Sequence, residues 1–263
     1  MIRDITIGQY YPSNSCIHHL DVRIKIIASL LWIVGLFCIG SWWGYAFAAL
    51  CLAVVIFLSH VPFKFIVKGL KGIVFILVFT AVLNMFFTSS GDILFQWKFI
   101  KITNVGLRTA IMTVIRLVLL IIGTSLLMFT TSPIELTDGI ESLLKPLTVI
   151  KVPAHEIAMM MSIALRFIPI LLEETDKIMK AQMARGADFE SGNLIQRVKA
   201  YIPILVPLFL SAFRRAEELA MAMEARCYRG GVGRTRMNKL TYKMQDYISF
   251  VIMFAFVGVC IWL

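Results

Sequence analysis

The chain has 263 residues, 59% of them hydrophobic and 16% charged, and its 26 Lys and Arg against 16 Asp and Glu give a formal charge of +10. Soluble domains average about 45–50% apolar residues, so this composition excludes an ordinary soluble domain and places the chain in a bilayer. An excess of Lys and Arg in a membrane protein is first expected in its cytoplasmic loops, so the charge does not imply nucleic acid.

Residues 1–22 are polar and mixed, with Asp4, Gln9, Asn14, His18, His19 and Asp21. They lack the basic start and short apolar core of a cleavable signal, and none is expected here. Four apolar spans follow, at Ile24–Gly40, Trp42–Ser59, Gly72–Thr88 and Thr109–Thr131, and a fifth, Tyr247–Leu263, comes last. About 20 helical residues cross a ~30 Å hydrocarbon core, so each is close to one crossing. Tyr247 and Trp262 suit the interfacial ends of the fifth.

Arg3, Arg23 and Lys25 precede the first span, no charge separates the first two, and Lys64, Lys68 and Lys71 fill the next link. The N-terminus is therefore expected in the cytoplasm and the C-terminus outside. The third link carries Asp92, Lys98, Lys101 and Arg108, a positive balance on the outer side that opposes this orientation. The segment 132–246 outweighs it, holding 16 of the 26 Lys and Arg. The expected organisation is a lead-in with four transmembrane helices over 1–131, a cytoplasmic domain over 132–246 and a final transmembrane helix over 247–263.

Within 132–246 the pattern is helical. Ser132 and Glu135 form a capping box before a short amphipathic helix at Ile134–Leu144. From Ala154 to Met183, Glu and Lys interrupt Met, Leu and Ile without strand-like alternation, and Asn193–Ala225 ends in a run of strong helix formers. Pro169, Pro203 and Pro207 predict kinks or breaks. Ala212, Ala216 and Ala220 recur every four residues and would let another helix approach closely, although alanine also serves simple helix propensity. Both long helices stop at an arginine, in Ala184-Arg185-Gly186 and Ala225-Arg226-Cys227. Arginine at a helix C-terminus is ordinary capping when met once. Two such ends on tandem helices offer two planar donor forks to partner carboxylates or carbonyls.

Other chemistries find little support. His18, His19 and Asp21 have no further ligand near in sequence for a metal site, and Met159 stands where His155-Glu156 would need a second histidine. The five cysteines form no Cys-x-x-Cys pair, and no Gly-x-Ser-x-Gly elbow or P-loop occurs. A self-sufficient secondary transporter or channel is the alternative class. Arg116 and Asn84 are the polar residues deep in the spans, and a lone Arg there is expected to pair with a neighbouring helix or to snorkel.

The sequence resembles the transmembrane T component of energy-coupling factor transporters, the cobalt- and vitamin-transport family of ABC importers. Gly8-Gln9-Tyr10-Tyr11-Pro12, Ser15, His18 or His19, Leu20-Asp21-Val22-Arg23 and Lys25 are similar to the family's G-x-Y-x-P-x-x-S-x-x-H-x-L-D-P-R-x-K lead-in. The two arginine tripeptides resemble its paired Ala-Arg-Gly coupling motifs. Val22 replaces the lead-in proline, and Cys227 replaces the second motif's glycine, so that end is not expected to adopt the same left-handed turn. The resemblance implies an all-α polytopic membrane protein of about five transmembrane helices with long crossing coupling helices. It implies a non-catalytic subunit without cofactor, joining two ABC ATPase subunits, which hold ATP and Mg, to a membrane S component that captures a vitamin or other micronutrient. Seven methionines on the two long helices, Met159, Met160, Met161, Met179, Met183, Met221 and Met223, would give that contact an adaptable surface.

Overall fold

The computed structural model describes residues 10–87, 93–97, 100–189, 193–231 and 240–263. The protein is an all-α polytopic membrane protein, with a single short hairpin among the described residues. The helices are α1 (Val22–Cys38), α2 (Trp42–Ser59), α3 (Phe63–Lys71), α4 (Val74–Phe87), α5 (Asn104–Thr130), α6 (Pro133–Leu144), α7 (Ala154–Ala184), α8 (Leu194–Ala225) and α9 (Met244–Trp262). The hairpin pairs β1 (Ile93–Trp97) antiparallel with β2 (Ile100–Thr103) inside what the sequence suggests is a plain link, and Thr103 then caps α5 by accepting from Gly106 N at 3.1 Å. That cap starts α5 five residues before the expected Thr109. The lead-in residues Gly8 and Gln9, and Lys98 of the third link, lie outside the described residues.

The helices α2, α5, α7 and α9 are each long and apolar enough to cross a membrane, and α3 with α4 would make a fifth span bent by 58°. Helix α1, with 17 residues, rises about 26 Å and stands at the short end of the lengths that cross a bilayer. One finding departs from the expected organisation. Helix α7 meets the length and apolarity of a span although it lies within the charge-rich segment.

The chain divides into two compact units. One comprises Gly8–Gly139 with Lys239–Leu263, the other includes Ile140–Asn238. The first unit has its core between α1, α2, α5 and α9, where Trp32, Leu36, Tyr45, Leu52, Leu119 and Phe256 are buried together. Trp32 and Phe256 stack at 5.0 Å between ring centroids, and the Trp32 indole donates to Leu119 O at 3.2 Å. Gly123 and Gly35 make this stack possible. A Cβ at Gly123 would fall on the Trp32 ring, and one at Gly35 would stand 2.8 Å from the Phe256 ring.

Arg116 enters the same unit from α5. Its Nε donates to Tyr45 Oη at 2.9 Å and its Nη2 to Ile39 O at 3.1 Å, at the C-terminal end of α1. The arginine therefore pairs with neighbouring helices, and it sits where the carbonyl end of α1 favours a cation. Asn84 donates to Thr80 O of its own helix at 2.9 Å.

In the second unit α7 and α8 run antiparallel. Gln182 Nε2 donates to Pro203 O at 3.3 Å, and Arg215 lies 3.7 Å from Glu174. Both helices continue through Pro169, Pro203 and Pro207, where the sequence predicts kinks or breaks. Few residues are buried here, Ala154, Ala158 and Ile204 among them.

Candidate functional site: two arginine helix ends and a locked lead-in

The ends of α7 and α8 have the same hydrogen-bond pattern. At the first, Gly186 N donates to Met183 O at 3.0 Å and Ala187 N to Gln182 O at 3.0 Å. At the second, Cys227 N donates to Glu224 O at 2.8 Å and Tyr228 N to Met223 O at 3.0 Å. Each is a Schellman cap, in which the residue after the capping arginine takes a left-handed conformation and its neighbour reaches back to the third-last helical carbonyl. Gly186 has φ of 89° and Cys227 φ of 55°.

Cys227 thus corrects the sequence expectation. It adopts the left-handed turn although it is not glycine. A left-handed L-residue costs about 1–2 kcal/mol, and at φ of 55° it lies inside the small left-handed region open to such residues. The two cap hydrogen bonds, each worth about 0.5–1.5 kcal/mol, offset that cost.

The caps set Arg185 and Arg226 as the last residues before the chain turns away, and both side chains are exposed. Neither guanidinium has a hydrogen-bond or ion-pair partner among the described residues. Ala184, Gly186, Ala225 and Cys227 are exposed beside them. Because α7 and α8 are antiparallel, Arg226 returns to the start of α7 while Arg185 stands at its end. Gly231, five residues past Arg226, packs against the His155 ring, whose Nδ1 donates to Glu141 Oε1 at 3.1 Å. With 1.5 Å of rise per residue over most of α7, the two tips are separated by about 40 Å.

The alanine row is partly open. Ala212 is half-buried on the side facing α7, whereas Ala216 and Ala220 are exposed. On the flank of α8 away from α7, Ile202, Leu205, Val206, Phe209 and Phe213 are exposed at helical spacing. Of the seven methionines, Met160, Met183 and Met221 are exposed and the other four half-buried.

The lead-in lies in the first unit and forms a separate network. Asp21 caps α1, accepting from Arg23 N at 2.9 Å, and Arg23 Nη2 donates to Asp21 Oδ2 at 2.8 Å. Asp246, in the first turn of α9 and 1% exposed, accepts from Asp21 N and from Lys243 N, each at 2.7 Å. Lys25 Nζ donates to His18 O at 3.0 Å and to Thr130 O at 2.9 Å, so it joins the lead-in to the end of α5. Arg23 also covers the Tyr242 ring at 3.9 Å. Burial pushes the Asp21 carboxyl up, but the hydrogen bonds and charge of Arg23 outweigh this and hold it below the usual carboxylate value. Burial holds the His18 imidazole below its ordinary value. Val22 occupies the first helical position of α1, where proline is well tolerated, which accounts for the interchange with the family's proline.

Asp246, Tyr242 and Thr130 escaped the sequence reading. The available signal was an acid in the first turn of a predicted helix, which identifies a cap but not its distant partner. Among the described residues no group of three or more His, Cys, Asp or Glu is placed to hold a metal.

Comparison with known proteins agrees with this architecture. A family model described as cobalt transport protein, CbiQ, matches residues 13–238. The energy-coupling factor transporter transmembrane protein EcfT of Clostridium kluyveri is 60% identical over 262 residues, covering 99% of this chain and 96% of the relative. The protein of the same name from Ruminiclostridium cellulolyticum is 57% identical over 248 residues, covering 94% and 92%. That from Bacillus subtilis is 52% identical over 246 residues, covering 94% and 93%. A nearly full-length match at this identity, on a polytopic helical body whose long helices end in paired arginine caps, shows that the chain belongs to the family of energy-coupling factor transporter transmembrane proteins.

Proposed function

We propose that this chain couples ATP hydrolysis in two cytoplasmic ATPase subunits to a separate membrane subunit that captures a vitamin or other micronutrient for import. Arg185 and Arg226 each seat on one ATPase. The observation that carries this reading is the pair of matching caps presenting exposed arginines, without a partner among the described residues, at opposite ends of one antiparallel helix pair. A spacing of about 40 Å is too wide for a single pocket and suits two partner sites. ATP and Mg belong to those partners. The N-terminus and the α7–α8 unit face the cytoplasm, with the C-terminus outside, as the distribution of Lys and Arg favours.

The exposed apolar flank of α8 supports the second half of the proposal. A contiguous stripe of Ile202, Leu205, Val206, Phe209 and Phe213 is costly in water and suits a membrane-embedded partner. The open Ala216 and Ala220 would admit a close helix there. Exposed methionines would let one surface repack against several capture subunits in turn.

The test is ATP-driven uptake by the assembled transporter in proteoliposomes, with co-purification of both ATPases. Arg185→Ala and Arg226→Ala each remove an exposed side chain that bonds to none of the described residues, so the chain itself is expected to keep its stability. Loss of an interface anchor is expected to weaken assembly by about 2–4 kcal/mol or to uncouple hydrolysis from uptake, and Lys at either position rescues poorly because it lacks the planar fork. A doubly substituted chain with unchanged assembly and uptake refutes the assignment. Uptake by the chain without ATPases would instead establish a self-sufficient transporter.

A further inference from the structure

Helix α3 is a short amphipathic element whose role the coupling function leaves open. Lys64, Lys68 and Lys71 recur at i, i+4 and i+7 and share one side of the helix, while Phe63, Ile66, Val67 and Leu70 share another. Ile66 is 3% exposed and packs with Val61 and Phe129. Phe65 meets the Tyr11 ring at 5.5 Å. Phe129 is the second-last residue of α5, so α3 lies level with the end of that membrane helix, as does the bond from Lys25 to Thr130 O.

Beside this anchor, Phe63 is 66% exposed and Val67 is also exposed. The axis of α3 is bent 58° from that of α4, so with α4 along the membrane normal α3 lies closer to the membrane plane than to that normal. Lys64 and Lys71 are exposed and have no ion-pair partner among the described residues. The sequence contains no Asp or Glu between Asp21 and Asp92, which leaves this stretch cationic without internal compensation.

We propose that α3 is an in-plane membrane anchor, inserting Phe63 and Val67 among the acyl chains and holding anionic phospholipid headgroups with the lysines of its polar side, Lys64 and Lys71 among them. An interfacial helix of this kind has a large apolar–polar asymmetry, aromatic residues on the buried side and lysines on the polar side. Each lysine near an anionic leaflet contributes about 1 kcal/mol of attraction, which is about fivefold in local enrichment of the anionic lipid. A rigid anchor at this position would hold the end of α5 at a fixed depth. The orientation proposed above decides only which leaflet is met, and the test uses symmetric vesicles, so failure of either idea is visible separately.

The full chain is reconstituted in vesicles of phosphatidylcholine with one quarter phosphatidylglycerol. In one arm the lipids retained on gentle extraction are counted by mass spectrometry, for the unsubstituted chain and for the K64Q/K68Q/K71Q variant. The unsubstituted chain is expected to retain phosphatidylglycerol above its bulk share, and the variant to lose at least fivefold of that enrichment. In the second arm the emission added by F63W is measured with brominated acyl chains and with aqueous iodide, both for the chain alone and for the assembled transporter. Quenching by brominated lipid in both states supports the proposal. Unchanged lipid retention in the triple variant, quenching by iodide, or loss of lipid quenching on assembly overturns it, the last by giving the face to a protein partner.

Discussion

Reciprocal substitution at the two helix caps tests whether backbone geometry or side chain sets the arginine tips. Gly186 has open space around an added Cβ, so Gly186→Ala meets no steric neighbour and its effect is confined to the backbone. At φ of 89° it lies beyond the left-handed region suited to L-residues, and the strain is about 1–2 kcal/mol. Lower entropy of the unfolded chain returns about 0.4–1 kcal/mol, leaving a net loss of about 1 kcal/mol. Cys227→Gly reverses each contribution at the other tip. Its net gain is smaller, because φ of 55° already suits an L-residue. Hydrogen exchange at the amides of Ala187 and Tyr228, the donors that close the two caps, reads these local openings. Protection at Ala187 should fall about fivefold in Gly186→Ala, and protection at Tyr228 should rise by less than that in Cys227→Gly. Unchanged protection in both, or a loss in Cys227→Gly, would refute the view that cap strain governs these ends.

Asp246→Ala orphans the buried amide of Asp21, at about 1–3 kcal/mol, and removes the partner of the part-buried Lys243 amide; thermal unfolding of the detergent-solubilised chain should show the loss, and an unchanged midpoint would remove Asp246 from the network. Gly123→Leu should force the Trp32 indole off Leu119 O and cost about 1–3 kcal/mol by overpacking, read as lower thermal stability together with a shifted tryptophan emission. The lead-in should also respond to acid in two steps. The lowered value of His18 makes its neutral form the folded one, so its stabilisation is complete above about pH 6.5 and declines as pH falls through the depressed value. Asp21, held below the ordinary carboxylate value, contributes fully above about pH 4 and fails only in stronger acid. Limited proteolysis near residues 10–21 across pH 7 to 3 should show the early step, which His18→Asn removes; one step at pH 4 alone would contradict the role of His18.

Features whose causes lie within a few residues were legible in the chain before any fold was known. Apolar runs of membrane length, the Ser132–Glu135 capping box and the stops at Arg185 and Arg226 all depend on neighbours no more than four positions away or on composition. Contacts between distant residues were decided only in three dimensions. Asp246 reaches an amide 225 residues earlier, Arg116 closes the α1–α2 turn from α5, and Gly123 is required by an indole on another helix. Cys227 shows how the two levels meet. Local rules favour glycine at a left-handed cap, but the conformation is settled by the sum of strain and hydrogen bonds. Two cap bonds outweigh the strain of one L-residue, and so the second arginine is presented on the same turn as the first.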